Sequence, residues 1–292
     1  MPLNALALVL AAALLHAVWN LGAKKAGGNH HFVMACAAGV GILWAPLALW
    51  IGVDQVPQWT PLAWGTALAS ALLHLFYFNA LLAGYRAADL SIVYPVARGS
   101  APALSASAAV VLLGEHLGFA GSLGLAGIVV GIFLIAAGPA LWRPSGDAAA
   151  HARRRSGIAW GALTGALIAG YTLVDGYAVK VLLLSPALVD WFGNVLRIPF
   201  MLPAVLRDGA GFMPALRRQW PYVLLVAVCG PLTYILVLYA MTLAPLSRVA
   251  PLRELSMLVA AALGGTLLKE GERAWRLLGA ACIAAGVIGL AV

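Results

Sequence analysis

The 292 residues are 63% hydrophobic and only 10% charged, with a mean hydropathy of +0.95. Soluble domains carry roughly a quarter charged residues, so this chain lacks the polar surface that a water-soluble fold of its size requires and reads as a membrane protein. The net charge of +8 is not a nucleic-acid footprint, because the Lys and Arg side chains sit in short loops between apolar runs, as the positive-inside bias places them.

A helix needs about 20 apolar residues to cross a bilayer. Ten such stretches follow one another: residues 3–22, 31–52, 62–85, 90–112, 118–141, 157–180, 186–206, 221–243, 247–268 and 273–291. The first 22 residues carry neither a charged leading segment nor a cleavage site, so they are expected to be a first span rather than a signal peptide. Connections are short except for residues 142–156, WRPSGDAAAHARRRS, a basic and polar linker expected on the cytoplasmic side. It separates a five-helix unit at 1–141 from another at 157–292.

The two units are copies. Residues 90–136 and 247–291 each carry a Ser, a Pro, an Arg in an apolar helix, a Leu-Leu, a Glu and a Gly-rich helix. Glu115 matches Glu270, Gly124 matches Gly279 and Gly131 matches Gly286 at one offset, with a one-residue slip between Pro95/Pro251 and the glutamates. Five is odd, so two matching five-helix units lie with opposite orientations. That is the inverted repeat of many secondary transporters, in which solute binds between the copies near mid-depth. The expected fold is therefore an all-α membrane protein of ten transmembrane helices in two inverted five-helix repeats. Lys24, Lys25, Arg86, Arg143, Arg153–Arg155, Arg207, Arg217, Arg218, Lys269, Arg273 and Arg276 cluster in the odd-numbered loops. Those loops are then cytoplasmic and both termini outside.

An ionisable side chain at the centre of a span costs roughly 2.5–3.5 kcal/mol, so each one needs a reason. Arg98 lies about 12 Å into the fourth span and Arg253 about 9 Å into the ninth, at ~1.5 Å per residue. An arginine fork fits a carboxylate bidentately, which makes both candidates for holding a substrate carboxylate. The plainer alternative pairs Arg253 with Glu254 or Asp175, and Arg98 with a helix-end carbonyl. Glu254 adjoins Arg253, about 100° around an α-helix, so a partner on another helix suits it better.

Asp175 follows Tyr171 by one turn on the same face of the sixth span. It is a candidate for proton coupling or for contact with an amine, against a fixed ion pair. His16 and Asn20, with Trp19 beside them, form the matching face of the first span, and His16 can titrate near neutral pH. His74, Tyr77, Phe78 and Asn79 of the third span, Tyr94 beside Pro95, and Tyr234 and Tyr239 of the eighth are candidate cavity aromatics, with ordinary packing as the competing explanation. Asp190, Asn194 and Arg197 share one stripe of the seventh span, which should face protein or water. The substrate-binding set expected from these arguments is His16, Trp19, Asn20, His74, Phe78, Tyr94, Arg98, Tyr171, Asp175, Tyr234, Arg253 and Glu254.

Pro95, Pro102 and Pro251 remove backbone donors inside the fourth and ninth spans, and interrupted helices at equivalent places in two repeats point to a transport site. Gly124, Gly127, Gly131, Gly279, Gly286 and Gly289 read as close helix packing. Glu115 and Glu270 stand just before those glycine-rich helices, where a carboxylate favours the helix N-terminus. Cys36, Cys229 and Cys282 fall within apolar runs and read as small buried hydrophobes. His30 and His31 are adjacent in a loop and could form a metal pair, but the sequence puts no further ligand near them. No GxSxG, HExxH, P-loop or GxGxxG occurs, so no enzymatic activity, catalytic residue, cofactor or metal is expected.

With HAVWNLGAKK at 16–25, the LLGE run ending at Glu115 and the LLKE run ending at Glu270, each followed by its Gly-rich helix, the chain resembles the drug/metabolite transporter superfamily, and within it the EamA type. The resemblance covers nearly the whole chain. It implies a secondary transporter of the bacterial inner membrane that works by alternating access and exports small metabolites. Amino-acid exporters of the YddG kind are the nearest group. The partners it implies are a small-molecule substrate and the lipid bilayer, with no nucleic acid and a functional monomer. A membrane-embedded structural or enzyme subunit is the rival reading, as is a transporter of drugs, nucleosides or organic cations.

Overall fold

In a computed structural model the described residues are 1–26, 29–88, 90–137, 148–256 and 273–291. They form helices α1 (Leu3–Ala26), α2 (His30–Leu43), α3 (Ala45–Gln55), α4 (Pro61–Ala87), α5 (Leu90–Leu113), α6 (Gly118–Ala137), α7 (Ala148–Lys180), α8 (Pro186–Val195), α9 (Ile198–Arg207), α10 (Gly209–Leu243), α11 (Leu246–Leu252) and α12 (Arg273–Ala291). Short 3-10 turns cover Val56–Gln58 and Arg253–Leu255, and no strand occurs among the described residues.

Among the described residues six segments are long and apolar enough to cross a bilayer: Leu3–Asn20, Pro61–Ala87, Ile92–Leu113, His151–Lys180, Pro186–Arg207 and Gly211–Leu243. The bent pair α2–α3 makes a seventh if counted as one span, and Gly118–Leu134 and Leu277–Leu290 are shorter apolar helices. Of the span expected at 247–268, α11 and its 3-10 turn are seen, and the remainder lies outside the described residues. Glu270 and Lys269 lie outside them as well.

Three expected spans differ from uninterrupted rods of the expected length. The second is bent by 61° between Leu43 and Ala45, because Pro46 has no N–H for the Ile42 carbonyl and its ring crowds that turn. The seventh divides into α8 and α9, with Pro199 in the first turn of α9. The eighth begins twelve residues early and keeps Pro214, Pro221 and Pro231 inside α10. Part of the expected linker is also helical. α7 starts at Ala148, where three alanines and then Arg153–Arg155 favour helix and no breaker intervenes.

The break at Leu43–Ala45 supports another helix. Pro231 cannot donate to the carbonyl of Ala227, four residues earlier. The Trp44 indole Nε1, at the bend itself, donates to that carbonyl at 2.9 Å. In turn the Trp191 indole donates to the Gly41 carbonyl at 3.1 Å, close to the end of α2, where backbone acceptors lack helical partners. In lipid such groups have no water to turn to.

The chain divides into two compact units that cut across the sequence repeats. The first comprises Met1–Leu6, Leu73–Leu173 and Leu243–Val292, and the second comprises Ala7–Leu72 and Val174–Thr242. In the first, α6 and α12 touch backbone to backbone. A Cβ built on Gly124 would lie 2.6 Å from the Gly286 carbonyl oxygen, and one on Gly286 would lie 2.5 Å from that of Gly124. Gly131 meets the Gly279 carbonyl at 2.6 Å in the same way. The glycine-rich helices pack as close neighbours, as their composition suggested.

Candidate functional site

Within the first unit, α5 and α11 bring the buried charges together. Arg98 stands on α5, three residues after Pro95. Pro251 sits at the end of α11, where the α-helix gives way after Leu252 to the 3-10 turn that carries Arg253 and Glu254. The tighter turn separates successive residues by about 120° rather than 100°. One Glu254 carboxylate oxygen lies 3.1 Å from Arg98 Nη2 and the other lies 3.7 Å from Arg253 Nε. Glu254 therefore takes its closer partner from another helix, as the sequence argument favoured, and holds its neighbour more loosely.

Glu254 is completely buried and Arg253 is 5% exposed, while the Arg98 side chain is 13% exposed. Neither Glu254 oxygen accepts a hydrogen bond among the described residues, so charge rather than fixed donor geometry holds it. The Glu254 carboxylate thus stands between two guanidiniums.

Aromatic rings from α4 and α7 face this cluster. His74 stacks on Tyr171 with centroids 3.9 Å apart and planes at 24°. Tyr77 lies 5.5 Å from Tyr171 and 6.0 Å from His74. The Arg253 guanidinium carbon is 5.9 Å from the Tyr171 ring centre, and that of Arg98 is 6.0 Å from the Tyr94 ring, at the edge of cation–π range. Six of the expected site residues thus form one constellation: His74, Tyr94, Arg98, Tyr171, Arg253 and Glu254. Phe78 stands half-buried on α4 without a ring contact among the described residues. Its place is taken by Tyr77, which the expected set omits.

The other five expected residues belong to the second unit. Asp175, 1% exposed, accepts a 2.5 Å hydrogen bond from the Tyr234 hydroxyl. His16 and Trp19 meet edge to face at 4.8 Å. The exposed Asn20 donates to the His16 carbonyl at 2.8 Å, within its own helix. The stripe of the seventh span is a short chain: Arg197 donates to the Asn194 side-chain oxygen Oδ1, and the Asn194 side-chain amide donates to the Asp190 backbone carbonyl at 2.9 Å. A cleft of about 500 Å³ also opens in this unit, lined by Gln55, Lys180, Ser185, Tyr239 and Thr242 among apolar neighbours. None of the twelve expected residues lines it.

Glu115 departs from expectation. It was placed before the glycine-rich helix as a charge for that helix's own N-terminus. Instead its two carboxylate oxygens accept the backbone N–H groups of Leu246 and Ser247, each at 2.8 Å. It caps α11, the helix leading to Arg253 and Glu254. The chain turns after Leu113 through Gly114 at φ +65°, immediately before Glu115. Nothing in the local spacing separates these two uses, since both put a carboxylate at a helix start.

Apolar spans, a buried ionic cluster and its aromatic wall define an all-helical, multi-pass membrane protein with a charged site inside its apolar bulk. Sequence comparison resolves the class further. The chain belongs to the EamA-like transporter family, which matches residues 3–137 and again residues 155–292. The doubled match coincides with the internal repeat. No curated protein sequence matches the chain. A solved structure described only as a crystal structure of a protein superposes with a TM-score of 0.72 at 13% identity, covering 99% of this chain and 96% of the other. At that identity the likeness speaks for the fold alone.

Proposed function

We propose that this EamA-like protein carries small organic metabolites, most readily amino acids with a neutral or aromatic side chain, across the bacterial inner membrane by alternating access. In this reading ten spans form two inverted repeats of 1–141 and 157–292, the direction is export, and one chain suffices. The observation that carries it is the shared Glu254. Two arginines at repeat-equivalent places hold one carboxylate between them. A solute carboxylate has the same shape and charge as Glu254 and can compete for either guanidinium. The rings of His74, Tyr77 and Tyr171 offer flat apolar surface to the rest of the solute.

The test is uptake and counterflow in proteoliposomes with a panel of labelled amino acids, nucleosides and organic cations. Arg98→Ala and Arg253→Ala are each expected to abolish transport of a carboxylate solute while the proteins still fold. Transport surviving in both variants would end the carboxylate-anchor reading. A second reading, a solute recognised through its cation, rests on the buried Asp175–Tyr234 pair. It is favoured if only organic cations are carried.

A further inference from the structure

Outside the ionic cluster the second unit gathers a different set of donors. His30 and His31 open α2, whose start is fixed by the Asn29 side chain accepting the Phe32 N–H at 3.1 Å. Asp208 lies between α9 and α10, and its backbone carbonyl accepts the Gly211 N–H at 3.0 Å. The fold thus brings a carboxylate to the two imidazoles across a separation of 177 residues. Sequence gave no reason to expect it.

We propose that His30, His31 and Asp208 bind a divalent transition-metal ion of the zinc, cobalt or nickel type. One Asp208 oxygen lies 3.0 Å from His31 Nε2 and 3.8 Å from His30 Nε2. Ligands at the usual metal–nitrogen and metal–oxygen lengths of roughly 2.0–2.2 Å stand about 3.3 Å apart around a tetrahedral ion. The observed separations bracket that value, and the three donor atoms all lie within 4.8 Å of one another.

The surroundings of the three donors leave room for an ion. Gly211 leaves the site open: a Cβ there would sit 2.8 Å from His31 Nε2 and 3.3 and 3.4 Å from the two Asp208 oxygens. His31 is 2% exposed and its Nδ1 has no partner among the described residues. Among the described residues its ring therefore makes its polar contact through Nε2, towards Asp208. The Asp208 side chain is 62% exposed, which gives an ion a route from water and leaves a coordination position for it.

The flanking chain carries Lys25, Arg207, Arg217 and Arg218. That setting repels a hard cation held by charge alone, such as calcium or magnesium. Imidazole coordination favours the later transition metals instead. An ion at this place ties the first turn of α2 to the α9–α10 corner, joining segments from the two sequence repeats inside one compact unit.

The experiment uses the full-length protein in detergent with any affinity tag removed. Cobalt(II) is titrated while its ligand-field absorption is followed, zinc(II) is added as competitor, and melting is recorded by tryptophan fluorescence with and without zinc. About one cobalt per chain, an intense tetrahedral-type spectrum and a zinc-dependent rise in melting temperature are expected. His31 is buried, so His31→Gln tests folding together with metal binding. The exposed His30→Ala and Asp208→Asn therefore decide the matter. Each should weaken cobalt binding by more than the roughly tenfold that loss of even an outer partner costs a metal site, while His151→Ala leaves it unchanged. Absence of binding, or binding that survives in both His30→Ala and Asp208→Asn, overturns the proposal and leaves His31–Asp208 as a structural hydrogen bond.

Discussion

Replacing Glu254 by Gln removes the one negative charge between Arg98 and Arg253. At the observed 3.1 and 3.7 Å, each contact contributes about 4–5 kcal/mol of gross attraction at an effective dielectric near 20. Desolvation of the ions offsets much of that. What remains measurable is the cost of leaving buried cations without their anion, roughly 3–5 kcal/mol. For a domain of this size such a loss lowers the melting temperature by about 10 °C.

Solute binding should move the other way. Glu254 and a solute carboxylate compete for the same guanidiniums. Without the glutamate, a carboxylate solute gains a charge-assisted contact of about 1.5–3 kcal/mol, or roughly 10- to 100-fold in affinity. The assay is thermal unfolding of the purified variant with and without carboxylate solutes, followed by direct binding of the one that stabilises the parent. Destabilisation with tighter binding is the signature of a contested anchor. Stability and affinity falling together would refute it and make the cluster a purely structural brace.

Four further outcomes test the rest. Glu115→Gln leaves one of the two N–H groups at the start of α11 facing an amide donor, so stability should fall by about 1–3 kcal/mol and solute affinity with it; unchanged affinity would separate α11 from the site. Trp44→Phe strands the Ala227 carbonyl that Pro231 cannot serve, at a similar cost of about 1–3 kcal/mol, read as a lower melting temperature, and a neutral result would show that carbonyl served by other means. Gly286→Leu drives a side chain into the Gly124 backbone and should prevent stable folding, whereas Gly65→Ala, with no atom within 4 Å of the added carbon, should be tolerated; expression and monodispersity decide both. Asp175→Asn weakens the acceptor of the Tyr234 hydroxyl and should remove any response of uptake to a pH gradient, and an unchanged response excludes this carboxyl from coupling.

Helix existence was legible because span length and apolarity are properties of the local chain. The expected 273–291 coincides with α12, and 62–85 and 90–112 lie within two residues of α4 and α5. Helix interruption was not legible, because proline has no fixed consequence. Pro46 accompanies a 61° bend, whereas Pro214, Pro221 and Pro231 remain inside α10. The outcome depends on whether the freed carbonyl finds a donor. For Ala227 that donor is Trp44, 183 residues away.

The site was legible in its charges and less so in its rings. Arg98, Arg253 and Glu254 stand out because ionisable groups in an apolar span demand a partner. His74, Tyr77 and Phe78 differ only by one turn on α4, so spacing alone cannot tell which of Tyr77 and Phe78 reaches Tyr171. Asp208 and Glu115 act at long sequence separation, which local patterns do not encode.

The duplication explains why one carboxylate faces two arginines. The offset of 155 that relates Glu115 to Glu270 also relates Arg98 to Arg253, and it relates Glu254 to Gly99. Both copies carry the arginine, but only the second carries the carboxylate beside it. A Cβ at Gly99 would fall 2.6 Å from the Phe133 ring on α6, so a second acidic side chain has no room while that ring stays in place. Symmetry at this position therefore cannot be restored while the Phe133 ring stays where it is. Glu254, fully buried and with no hydrogen bond to its carboxylate among the described residues, occupies the place between the arginines that the proposed reading assigns to a solute carboxylate.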